Sequence, residues 1–198
     1  MKGASKGEGL GNKFLANIRN TNAIIHVLRC FENDNITHVD GSIDPVRDKG
    51  IIDTELQLKD LETIENRLAK TQKQAVVGGD KQAKRAVEIL LQYKAVLEQG
   101  LSARTVELEK EDRKLVADLN LLTDKPVLYV CNVDEKSAVT GNEHTRAVEA
   151  AIADERAEML IVAAATEADI AELDEYEERQ MFLEEIGLKE SGVARLIK

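Results

Sequence analysis

Between the apolar run at residues 23–31 (AIIHVLRCF) and the next, at 127–131 (VLYVC), lies a long stretch whose apolar residues recur at helical spacing. Ile52, Leu56, Leu61, Ile64 and Leu68 fall mostly three to five apart, and Ala86, Ile89, Leu90, Tyr93, Val96 and Leu97 resume the pattern. Gly78-Gly79 breaks the first of these segments and Asp80 stands where a side chain would cap the second, so the pair predicts an antiparallel helical hairpin. Any sheet this chain builds must therefore tolerate a helical insertion between two of its strands.

The rest of the chain supplies that sheet. Phe14, Leu15 and Ile18 predict a helix within residues 12–22, ahead of the first strand. After the hairpin, a helix over roughly 107–119 leads to the strand at 127–131. A helix at 143–156, a strand at 159–165 and an acidic helix at 168–187 follow. This alternation predicts an α/β protein with a parallel sheet, in which residues 1–50 and 125–198 form one domain and 51–124 an inserted helical-hairpin, coiled-coil-like domain. Residues 32–50, rich in Asn, Asp and Gly and containing Pro45, read as a long polar loop of the kind that is usually functional.

Composition narrows the class. With 198 residues and 43% hydrophobic content the chain is large enough for a real core, while 3% aromatic content and no Trp leave little for stacking on nucleic-acid bases. No apolar stretch is long enough to span a membrane, and residues 1–9 (MKGASKGEG) contain no secretory signal, so a cytoplasmic protein with no membrane partner is expected. Cys30 and Cys131 sit within apolar runs, where thiols pack as small hydrophobes. The net charge of −10 is uneven: residues 67–94 hold seven basic side chains against two acidic ones, a net of +5 that leaves −15 for the remainder. The acidic run Glu172, Asp174, Glu175, Glu177 and Glu178 reads as a solvated helix face.

Four segments could carry chemistry. Gly7-Glu-Gly-Leu-Gly11 has no preceding strand and the wrong spacing for a dinucleotide loop, so it reads as a hinge into a helix. Asn132-Val133-Asp134-Glu135 follows a strand's carboxyl end, a place for a ligand loop or for a solvated turn. His38 is a lone loop histidine; His26 fits a core strand and His144 a surface helix. Lys81, Lys84 and Arg85 lie in the basic segment and could meet RNA or an acidic partner. No metal-ligand cluster or nucleophile triad is recognisable.

Residues 2–14 (KGASKGEGLGNKF), 26–38 (HVLRCFENDNITH), 78–84 (GGDKQAK) and 167–174 (EADIAELD) closely resemble the Obg-like ATPases of the YchF group, P-loop nucleotide hydrolases. The resemblance implies an internal fragment: a partial G-domain-like parallel sheet whose phosphate-binding loop and magnesium carboxylate come earlier and whose β-rich TGS domain comes later. It makes Gly7, Gly9 and Gly11 a switch segment and His38 the catalytic group that orients water. Asn132, Val133 and Glu135, with Ala163, Ala164 and Ala165, become the nucleotide base site. In that site Glu135 replaces the aspartate whose carboxylate accepts two hydrogen bonds from guanine in related GTPases. Its extra methylene displaces the carboxylate, which favours ATP or a mixed specificity. ATP or GTP with magnesium is the implied cofactor of the complete protein, and the ribosome the implied partner. No G-x-x-x-x-G-K-S/T occurs in the 198 residues, so neither tight nucleotide binding nor hydrolysis is expected of this chain alone, and the strand at 23–31 is expected to leave an unpaired edge prone to self-association. The alternative is a non-enzymatic binding module acting through the basic hairpin.

Overall fold

The computed structural model describes residues 10–33, 35, 36, 41–77 and 80–197. By contacts the chain divides into two units, one holding residues up to Ile24 with Gly50–Pro126, the other Ile25–Lys49 with the residues from Val127 onward. The sequence had grouped residues 1–50 with the sheet; the described part of that segment before Ile25 clusters instead with the helices.

The helical unit contains α1 (Leu10–Arg19), most of α2 (Pro45–Val77), α3 (Lys81–Glu98) and α4 (Lys110–Val116). Pro45 opens α2, well before the expected start at Ile51 and inside the segment read as loop. Proline fits the first helical position, where its missing N–H costs nothing, and the Asp44 carboxylate accepts the Arg47 N–H at 3.0 Å. Asp80 caps α3, accepting from the Gln82 and Ala83 amides at 2.8 and 3.4 Å. The α2 and α3 stripes meet as the sequence expects: Ile64, Leu68, Ile89, Leu90, Tyr93 and Leu97 are buried together with Val116, Leu119 and Leu121. Leu15 of α1 packs with Leu56 and Leu122. Asp60, fully buried in α2, accepts the Leu122 and Thr123 N–H groups and the Thr123 hydroxyl at 2.7–2.8 Å, pinning the returning chain to the helix.

The sheet contains β1 (Ile24–Arg29), β2 (Val127–Asn132) and β3 (Glu158–Val162) in that spatial order. Ile24 donates to the Pro126 carbonyl and Cys30 to that of Asn132, a constant offset that makes β1 and β2 parallel; β3 runs parallel to β2 with Asn132 opposite Val162. The second unit also holds α5 (Glu143–Ile152), α6 (Ala164–Ala171), α7 (Tyr176–Glu185) and α8 (Gly192–Ile197). Its core joins Leu28, Cys30, Tyr129, Cys131 and Val133 to Val148 and Ile152 of α5. Both cysteines are free and fully buried, and the neighbouring Cys131 thiol together with burial pushes the Cys30 thiol above its ordinary range. The single acidic helix expected at 168–187 is two, because α6 ends at Ala171 and the Leu173 carbonyl turns aside to accept the Arg179 guanidinium at 2.7 Å. Among the described residues no strand pairs with the outer edge of β1, where Ile25 and Val27 are exposed. No described helix is long and apolar enough to cross a membrane.

Candidate nucleotide-base site

Parallel strands bring their carboxyl ends to one rim, and in such sheets that rim is where ligands bind. Here the rim is fastened by three asparagine and backbone ties. The Asn132 carbonyl accepts the Cys30 N–H at 2.8 Å, joining the end of β2 to the end of β1. Asn142, the N-cap of α5 in a reciprocal capping box with Thr145, donates its amide to the Cys30 carbonyl at 2.7 Å. The Asn132 side chain closes the other flank, its Oδ1 accepting the Ala164 N–H at 3.1 Å. That bond supplies the cap that α6 lacks, since Ala163 at its N-cap has no side chain able to accept.

These ties sort the expected base-site residues. Asn132 has spent Oδ1 on the protein, and its Nδ2 donates to no described group, so a donor is what this side chain has left for a ligand. Val133 turns its side chain into the core and gives its N–H to the Val162 carbonyl at 2.9 Å, so it offers a ligand only its backbone carbonyl. The Asp134 carboxylate is held by the Ser137 N–H at 3.0 Å, whereas Glu135 is exposed with no described partner, which leaves Glu135 as the available acceptor. Ala163 is buried; Ala164 and Ala165 are exposed in the first turn of α6, where the Ala165 N–H is one of the donors a helix leaves unpaired. A donor amide, a free backbone N–H and a carboxylate on one rim match the edge chemistry of a purine base. Among the described residues no group of three His, Cys, Asp or Glu side chains could hold a metal ion.

His38, Gly7 and Gly9 lie outside the described residues. Gly11 is the second residue of α1 and helical. His26 lies 5.5 Å, ring to ring, from the buried Tyr129, and His144 places Nε2 3.6 Å from Glu32.

The basic segment is not uniformly available. Arg85 bonds both oxygens of Asp112 and also Glu88, which together raise its pKa further. Arg67 grips Asp118 and Lys94 bonds Glu65. Lys70, Lys73, Lys81 and Lys84, all exposed, have no ion pair among the described residues, and they lie within about two helical turns of the hairpin's tip. Arg85, expected as a contact residue, is thus already ion-paired, while Lys70 and Lys73 carry charge without a described partner beside Lys81 and Lys84. Two cavities of this unit, about 250 and 550 Å³, are lined by groups such as Arg113 with Asp124 and Lys94 with Glu65 that satisfy one another.

No family model matches the chain. It is 51% identical over 200 residues to the ribosome-binding ATPase YchF of Bacillus subtilis and 47% identical over 198 residues to that of Escherichia coli O157:H7, in each case covering 100% of this chain and 54% of the relative. The solved structure of the Schizosaccharomyces pombe YchF GTPase superposes with a TM-score of 0.83 at 29% identity, again over 100% of this chain and 54% of that one. The chain thus spans about half the length of the relatives it matches, and over its whole length it belongs to the YchF family.

Proposed function

We propose that this chain carries the base-reading part of an ATP- and GTP-binding hydrolase that works on ribosomes in the cytoplasm, with ATP favoured. The observation that carries the reading is the Asn132 to Ala164 bond, which spends the asparagine's acceptor and leaves its donor on the rim beside Glu135 and the Ala165 N–H. Adenine presents ring-nitrogen acceptors to those donors and an exocyclic amino group to Glu135; the longer carboxylate is poorly set for guanine's paired donors. The phosphates and magnesium would be held by residues outside these 198, so this chain alone is read as neither binding nucleotide tightly nor hydrolysing it. His38 would orient the attacking water and Gly7, Gly9 and Gly11 would respond to the terminal phosphate, as the family resemblance implies. The names of the bacterial relatives, ribosome-binding ATPases, support the ribosome as partner.

Asn132→Asp in a full-length protein carrying this segment separates the two jobs of that side chain, because it keeps the acceptor for Ala164 and removes the donor. Nucleotide affinity falls roughly tenfold or more, the loss of a hydrogen bond to a buried polar edge. Unchanged affinity for both nucleotides overturns the assignment.

The second reading, a binding module, is favoured by the hairpin tip alone. Its four lysines without described partners would meet the phosphates of ribosomal RNA, with Lys81 and Lys84 at the centre, and the two readings are compatible within one protein.

A further inference from the structure

Ala163–Ala165, the N-cap and first two residues of α6, have no large side chains to fix them, so whatever stands against them decides where their backbone lies. What stands there is α8. Gly192 packs so closely that a Cβ at that position would lie 2.6 Å from the Glu167 Oε1 and 2.9 and 3.1 Å from the Val162 methyls, and Val162 is both the register partner of Asn132 and the residue preceding Ala163. From the front, α6 reaches across: Glu167 in its first turn accepts the Gly192 N–H at 2.6 Å through one carboxylate oxygen and the Val193 N–H at 3.4 Å through the other. The Glu167 N–H itself bonds the Ala163 carbonyl at 2.9 Å. Ser191 Oγ accepts the Ala194 N–H and Arg195 donates to the Ile161 carbonyl of β3.

Apolar burial does little to seat α8. Val193, Leu196 and Ile197 are 58%, 41% and 80% exposed, so the polar clamp decides where this helix sits. A continuous path results: Asn132 holds the N-terminus of α6, α6 presents Glu167, and Glu167 holds α8 against the residue next to Asn132.

We propose that Glu167 and Gly192 are positioning residues for base selection, setting the Ala163–Ala165 backbone from outside the base site through α8. The inference rests on the base-site reading above. Neither residue meets the nucleotide; each acts by fixing the distance between the α6 N-terminus and the donor on Asn132. Glu167→Gln loses the charge and one of the two acceptors, and Gly192→Ala sets a methyl against both the Glu167 Oε1 and the Val162 methyls, opening the same clamp from the α8 side.

The test is competitive binding of ATP and GTP to a full-length protein carrying this segment, with hydrogen exchange of residues 163–167 followed in parallel. In both variants the ATP to GTP affinity ratio shifts by about threefold or more and exchange at 164–166 accelerates at least severalfold, as local opening free energies of this order imply. Simple destabilisation would lower both affinities together and leave their ratio unmoved, which would overturn the inference. Wild-type ratio and wild-type exchange in both variants would overturn it equally. If instead Asn132→Asp binds nucleotide normally, the base-site reading itself fails, a result distinct from either outcome for Glu167 and Gly192.

Discussion

The rim of the sheet and the tip of the hairpin treat their polar side chains in opposite ways. At the rim nearly every polar group holds backbone: Asn132, Asp134, Asn142 and Glu167 each accept from a main-chain N–H. Near the tip Lys70, Lys73, Lys81 and Lys84 hold nothing among the described residues, while Arg67, Arg85 and Lys94 are paired. A small rigid ligand such as a base needs donors fixed in direction, and those are obtained by tying the loop that carries them. A polyanion needs unpaired charge on mobile arms, and it is read by number and spacing instead of direction.

The largest test of that contrast is Asp60, where the helical unit uses a buried rim-like tie. Asp60→Ala leaves the Leu122 and Thr123 amides buried without acceptors and costs about 3 kcal/mol or more in urea unfolding. Burial also holds the Asp60 carboxyl above its ordinary value despite the Thr123 and Leu122 donors. The folded state therefore binds this proton more strongly, and the contribution of Asp60 to stability is greatest below the unfolded pKa of 3.8 and falls as pH rises through the higher folded value. Asp60→Asn removes that fall. A stability curve in Asp60→Asn with the wild-type slope assigns the pH dependence elsewhere.

At the rim, Asn142→Ala removes a cap and the tie to Cys30 together and costs about 1–2 kcal/mol. An unchanged unfolding midpoint in that variant means the rim is held by packing. At the tip, reversing Lys81 and Lys84 to Glu weakens binding to ribosomal RNA roughly tenfold and shallows its salt dependence by about two phosphate contacts, with the fold unaffected. The smallest effect belongs to Arg85: Arg85→Gln leaves RNA affinity within about twofold of wild type, about the spread of such measurements, because that guanidinium is already engaged by Asp112 and Glu88. Equal losses at the tip lysines and at Arg85 would erase the distinction.

Much of this was legible in the residues. Period and punctuation predicted the hairpin and the Asp80 cap, and apolar runs predicted strands that begin and end within a few residues of β1, β2 and β3. Partner choice was not legible. Leu15 and Ile18 mark a helix face, yet nothing in their spacing says that this face meets Leu56 and Leu122 and not the sheet. The early start of α2 was signalled by Asp44-Pro45 and masked by the polar composition around it. At the site, Asn132 and Glu135 stood out by position after a strand, but the spending of Oδ1 on Ala164 and the reach of Glu167 to Gly192 depend on contacts thirty-two and twenty-five residues apart, which no local pattern encodes.

The base-reading account is tested most directly by the ATP to GTP affinity ratio of Glu135→Asp, measured by competition in a full-length protein carrying this segment. Shortening the carboxylate by one methylene restores the geometry for guanine's two donors, so the ratio moves toward GTP by about 10-fold or more, the worth of a matched pair of charged hydrogen bonds. A ratio equal to that of the wild type would contradict the claim that this rim reads the base.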